Sequence, residues 1–170
     1  MTAIQARLKR KQMRRDKQPQ AHIYDSYRPR GRSAGASRCP DCGAIYDDGR
    51  WTWHMSAEQM HQLQCPACKR IHEQAPAGEI TFDGDYLLSR ADEVLALLHH
   101  QADGESKEHP LERIMDIQQN PEHIVVQTTG PHLVRRLGAA MLHAHQGTLE
   151  ISYRDNEGLL RAHWARSSVK

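Results

Sequence analysis

Phenylalanine occurs once in 170 residues, and aromatic side chains of all kinds make up 5% of the chain. That scarcity argues against an RNA platform that stacks bases on rows of exposed strand aromatics. No apolar run approaches the ~20 residues needed to cross a bilayer, so a membrane-spanning protein is not expected. The segment from Met1 to Asp16 is charged and has no apolar stretch of the kind a secretory leader needs. A cytoplasmic chain is therefore expected, and a disulfide framework is not. Also missing are a phosphate-cradling glycine loop, an HExxH helix and a Ser, Cys or Lys nucleophile pattern. No catalytic residues are assigned, and an enzyme is not expected.

Cysteine is scarce too, but its four copies are not scattered. They form two tight pairs, Cys39-Pro-Asp-Cys42-Gly43 and Cys65-Pro-Ala-Cys68, separated by 22 residues. Two thiolates two residues apart reach one ion from a single turn, and two such turns complete a tetrahedral shell. A shell of four sulfurs leaves no position for substrate, which predicts one structural zinc ion. Iron–sulfur ligation uses the same side chains, and the spacing alone leaves it open. A thioredoxin-like redox site would need one such pair between a strand and a helix rather than two matched pairs. Between the pairs, Asp47-Asp48-Gly49 signals a turn and Trp51-Thr52-Trp53 an alternating stretch, so a short hairpin of the zinc-ribbon kind is expected over residues 39–74. His54 and His61 lie nearby but are read as surface residues, since four thiolates already saturate the ion.

Acidic residues are nearly absent from the first 38 positions, which carry eleven Lys and Arg against two Asp, a balance of +9. Residues 39–170 carry twelve basic and nineteen acidic groups, a balance of −7. Charge divided this way points to a basic, largely disordered arm that docks on a polyanion. Its first part holds Arg7, Lys9, Arg10, Lys11, Arg14, Arg15 and Lys17, with an apolar stripe of Ile4, Leu8 and Met13 too thin for a membrane-surface helix. Its second part interleaves Tyr24 and Tyr27 with Arg28, Arg30 and Arg32. Aromatic rings among guanidinium forks suit irregular or single-stranded RNA, where rings stack on bases and forks bind phosphates. Lys69 and Arg70, just after the last cysteine, join the candidate nucleic-acid contacts. A transit peptide, a solubilising tail and an acidic protein partner are the alternative readings of the same charge.

Residues 79–166 read as an α+β domain. Glu79 to Phe82 is a strand candidate, and Leu87, Leu88, Ala91, Val94, Leu95, Leu97 and Leu98 form one side of a helix from Tyr86 to His100. A loop from Asp103 to Pro110 then leads to strands over Leu111–Gln118 and His123–Thr128. Thr129 is placed to cap a second helix opened by Pro131 and closed by Gly147. A last hairpin joins Thr148–Arg154 to Leu159–Trp164, with Leu149, Ile151, Tyr153, Leu160, Ala162 and Trp164 facing inward. This order contains the βαββαβ run of a ferredoxin-like sandwich plus an extra edge strand. Of the twelve histidines, His99, His100, His143 and His145 sit at helix ends and are expected to cap or to face solvent.

The paired cysteines followed by an α+β domain, and the stretch Thr129-Gly130-Pro131-His132-Leu133-Val134-Arg135-Arg136-Leu137-Gly138 leading into Gly147 to Tyr153, Asp155-Asn156-Glu157-Gly158 and Arg161, resemble the export adaptor of the large ribosomal subunit in archaea and eukaryotes. The family usually carries more cysteine pairs and further domains, so its export role does not transfer. The resemblance implies zinc at Cys39, Cys42, Cys65 and Cys68 and a partner in ribosomal RNA, with ribosomal proteins beside it. The expected protein is a zinc-binding, RNA-binding one that associates with ribosomes during assembly, stress or dormancy. A zinc- or redox-responsive adaptor for an acidic protein is the alternative.

Overall fold

The computed structural model describes residues 25–27, 35–54, 59–153 and 158–167. Two mixed sheets and four helical segments result, in an α+β arrangement. The first sheet contains β1 (Ser37–Arg38), β2 (Ile45–Asp47), β3 (Arg50–Thr52) and β4 (His61–Gln62), ordered β3-β2-β1-β4. The turn expected at Asp47-Asp48-Gly49 is present. Asp48 and Gly49 both take positive φ, 45° and 82°, as a tight two-residue hairpin turn demands. Helix α1 (Pro66–Glu73) follows β4.

The second sheet is built from β5 (Gly78–Asp83), β6 (Ile114–Gln119), β7 (His123–Thr128), β8 (Thr148–Tyr153) and β9 (Leu160–Ala165), in the order β6-β7-β5-β9-β8. The elements follow each other as the sequence pattern predicts, but the extra strand is not at an edge. In a ferredoxin-like sheet β8 would lie beside β5. Here β9 occupies that place, parallel to β5, and β8 pairs only with β9. Burial on the helix-covered face fits the exchange. Leu160, Ala162 and Trp164 of β9 are buried, whereas their partners on β8, Tyr153, Ile151 and Leu149, are exposed or only partly buried, as suits an edge strand. Tyr153, read as inward, is 38% exposed on that edge strand.

One face of this sheet is covered by α2 (Asp85–Leu88), α3 (Ala91–Glu108) and α4 (Pro131–His145), and the core lies between. Ile80, Phe82, Val126, Leu133, Leu137, Met141 and Trp164 are fully enclosed there. The opposite face is polar, with Gln127 donating to Glu79 and His163 paired with Asp83. No helix among the described residues is long and apolar enough to cross a membrane.

In the second domain the helical segments and their ends differ from the sequence pattern in three places. The first expected helix is broken at Ser89–Arg90 and then runs on to Glu108, taking in most of the segment expected as a loop. Its Ala102 completes the buried stripe begun by Val94 and Leu98, so tertiary burial overrides the breaking tendency of Gly104. Thr129 does not cap α4. Its hydroxyl serves Leu111 and Arg113, and the buried Glu112 carboxylate accepts the Leu133 N–H instead, at 2.9 Å. Burial raises the Glu112 pKa. His145, expected to cap or to face solvent, is 4% exposed and shares a 3.0 Å hydrogen bond with the Tyr86 hydroxyl. His99, His100 and His143 are exposed as read.

Two glycines give opposite expectations. A Cβ at Gly78 would sit 2.3 Å from Val134 Cγ2 and 2.7 Å from Thr128 Oγ1, whereas one at Gly104 meets nothing within 4 Å. In urea unfolding, Gly78→Ala is expected to destabilise by about 1–3 kcal/mol through overpacking. Gly104→Ala is expected to stabilise by about 1 kcal/mol through helix propensity. Equal effects of the two substitutions would contradict the register of β5 against α4.

Candidate metal centre

β1 and β4 run parallel and deliver the two cysteine pairs side by side. After β1 the chain turns through Cys39 to Cys42, a turn closed by Gly43 N–H on the Cys39 carbonyl (2.9 Å) and by Cys39 N–H on the Ala44 carbonyl (2.8 Å). Gly43 takes φ 79°, which a side chain would resist. The second pair is placed differently from the ribbon expected. It opens a helix rather than forming a second isolated tight turn, with Cys65 as the N-cap of α1, Pro66 in the first turn and Cys68 N–H donating to Cys65 Sγ at 3.3 Å. Proline at that position gives up no needed N–H, which is why Cys-Pro-Ala-Cys starts a helix here. The partial positive charge of a helix N-terminus favours thiolate.

The four sulfurs all lie within 4.8 Å of one another, and Cys42 and Cys65 are 3.7 Å apart. A tetrahedral ion with bonds of about 2.3 Å to sulfur sets its ligands about 3.8 Å apart, so the cluster fits such an ion with little adjustment. A disulfide would need about 2.05 Å, and all four cysteines are free. Cys39, Cys65 and Cys68 are buried and Cys42 half-buried, packed with Ala44, Ala67, Trp51 and Leu111. Burial pushes the Cys65 thiol up to about 11 and raises Cys68 as well. It acts the same way on Cys39, but the backbone N–H groups of Cys65, Cys42 and Asp41 outweigh it and bring that thiol down to about 7. A divalent cation resolves the conflict, because a coordinated thiol is deprotonated and its charge is balanced in place.

Arg113, a residue that sequence reading passed over, completes the centre. It comes from the segment just before β6, yet its Nη2 donates to Cys65 Sγ (3.2 Å) and Cys42 Sγ (3.4 Å), and its Nη1 to Cys68 Sγ (3.6 Å). Nothing in local spacing marks it, since its partners lie 45 to 71 residues away. His54 and His61 are exposed and take no part in the cluster. Among the described residues the four cysteines are the one group of His, Cys, Asp or Glu that could hold an ion. Four sulfurs are the number that a closed tetrahedral shell requires.

Most candidate nucleic-acid residues, namely Arg7, Lys9, Arg10, Lys11, Arg14, Arg15, Lys17, Tyr24, Arg28, Arg30 and Arg32, lie outside the described residues. The other three come together on α1. The Arg70 guanidinium lies 4.0 Å from the centre of the Tyr27 ring and the Lys69 ammonium 5.4 Å from it. Tyr27 donates to Glu73. Arg70 is 8% exposed and donates to Asp25 (2.9 Å) and to the Ala75 carbonyl (3.0 Å), so it works inside the fold, whereas Lys69 stays half-exposed beside Glu73. Compared with protein-family models, curated protein sequences and solved structures, the chain matches none.

Proposed function

We propose that the chain is a zinc-binding, non-enzymatic RNA-binding protein of the cytoplasm that associates with the ribosome or its RNA during assembly, stress or dormancy. The observation that carries the zinc part is the closed cluster of four sulfurs within 4.8 Å, since Zn²⁺ accepts a tetrahedral thiolate shell without ligand-field penalty. The RNA part rests on charge. The +9 segment up to residue 38 leads directly into this rigid centre, and Asp25 and Tyr27 tie it to α1 through Arg70. A leader anchored beside a metal-stabilised body can neutralise phosphates while the body sets its orientation. The likeness of residues 129–161 to the export-adaptor family directs the proposal to the large subunit.

The alternative is an adaptor for an acidic protein, in which zinc answers to metal supply or oxidation. It is favoured by one observation, the use of Arg70 and Tyr27 in internal contacts rather than toward an outside phosphate. Purification of the tagged chain from cells at low salt, with and without nuclease, separates the two. RNA binding predicts co-sedimentation with a ribosomal particle that nuclease disrupts. Complexes unchanged by nuclease would replace the first reading with the second.

A further inference from the structure

Three consecutive residues tie the metal module to the second domain, and neither reading of function uses them. Leu111 packs against the buried cysteines. Glu112, itself buried, accepts the Leu133 N–H in the first turn of α4. Arg113 sends both Nη atoms to sulfur and its Nε to the Pro110 carbonyl at 2.7 Å. The backbone of Arg113 is held as firmly, its N–H donating to Thr129 Oγ1 and its carbonyl accepting from Thr129 N–H, each at 2.9 Å. Among the described residues no carboxylate pairs with this guanidinium. Its anionic partners are the sulfurs.

We propose that Arg113 is the outer-shell partner of the metal-bound thiolates and that, through residues 111–113, metal occupancy fixes the starts of β6 and α4, so that the second domain responds to the state of the metal centre. This rests on the metal-binding part of the proposed function and not on RNA.

The argument runs in both directions. Four thiolates on a divalent ion leave a net charge of −2, and a guanidinium shared among three of them offsets half. N–H···S bonds draw charge from the sulfurs and hold them at their angles, which slows their capture by a competing chelator. In return, the half-buried guanidinium has that anionic cluster as its counter-charge. Removing the ion lets the sulfurs separate and leaves a partly desolvated cation short of its partners. The cost then falls on the residues that hold Arg113 in place, namely Pro110, Thr129 and, through Glu112, the first turn of α4. Lysine cannot substitute, because one ammonium cannot span three sulfurs as the planar fork does.

The test uses the full chain and two variants, Arg113→Met and Arg113→Lys, with two readouts: the rate at which the metal passes to a chromogenic chelator, and hydrogen exchange at three amides, Arg113, Thr129 and Leu133. Each variant is expected to keep one ion but to release it about tenfold to a hundredfold faster than the unsubstituted chain. Chelation of the unsubstituted chain is expected to speed exchange at all three amides while leaving Ile80 and Val126 in the sheet centre protected. The chelation arm needs no variant to fold. Release from Arg113→Lys and Arg113→Met within twofold of the unsubstituted chain would overturn the outer-shell role. Unchanged exchange at Thr129 and Leu133 after chelation would overturn the coupling. Both results leave the metal reading intact. A chain that carries no metal at all would instead defeat that reading itself.

Discussion

In Cys65→Ala the segment from Ala36 to Glu73 is expected to lose its folded structure and its metal together, while the five-stranded sheet survives. Cys65 is placed for three roles at once: candidate metal ligand, N-cap of α1 and, through its own N–H, hydrogen-bond donor to Cys39 Sγ at 3.3 Å. The apolar support of this segment is small: Ala44, Ala67, Trp51 and Leu111 beside the cysteines, with Ala36, Ile45 and Tyr46 buried on or beside the neighbouring strands. A core of that size cannot offset the conformational entropy of nearly forty residues without the metal, whose binding is worth on the order of 10–16 kcal/mol in comparable thiolate sites. The second core is independent, with fifteen buried residues from Ile80 to Trp164 that include none of the cysteines. Amide resonances recorded for Cys65→Ala should therefore collapse for the metal module and stay dispersed for β5, β7 and β9. A module that keeps its dispersion after losing one sulfur would show that packing and not metal holds it.

Deleting residues 1–32 is expected to flatten the salt dependence of RNA binding and to weaken binding at low salt by at least about a hundredfold. That segment contains ten of the 23 Lys and Arg in the chain. Each phosphate neutralised on a single strand contributes a slope of about −0.7 in log affinity against log salt, so five contacts give about −3.5. The deletion also removes Asp25 and Tyr27, which brace Arg70, so a companion variant is needed. Replacing Arg7, Lys9, Arg10, Lys11, Arg14, Arg15 and Lys17 with glutamine keeps that brace and should lower the slope by a similar amount. A slope unchanged in both arm variants would transfer the RNA contact elsewhere or favour the protein-adaptor reading.

Local signals carried the sequence reading a long way at the metal centre. Two Cys-x-x-Cys turns two dozen residues apart identify all four sulfurs, because the chemistry demands a fixed local spacing. Asp48-Gly49 likewise sets a hairpin turn through backbone conformation alone. What escaped is what depends on partners distant in sequence. Arg113 reaches the sulfurs across 45 or more residues, and Glu112 replaces Thr129 as the donor-satisfying group at α4 because the fold brings its carboxylate there. The place of β9 between β5 and β8 was hidden for the same reason. Alternation shows which residues of a strand face inward, but the competition for the central position is settled only when Trp164 and Ala162 are compared with Leu149 and Ile151, their same-face partners on the neighbouring strand. The cysteine pair at the head of α1 is intermediate, since Pro66 signals a helix start once the turn is read as a cap and not as part of a ribbon.

The central claim, that one ion held by four thiolates organises the first domain, is tested most directly by X-ray absorption at the metal edge on the purified full chain, together with metal content per chain. The account predicts one zinc per chain surrounded by four sulfurs at about 2.3 Å. A coordination shell containing nitrogen or oxygen in place of sulfur, or a fully folded chain with no metal bound, would contradict it.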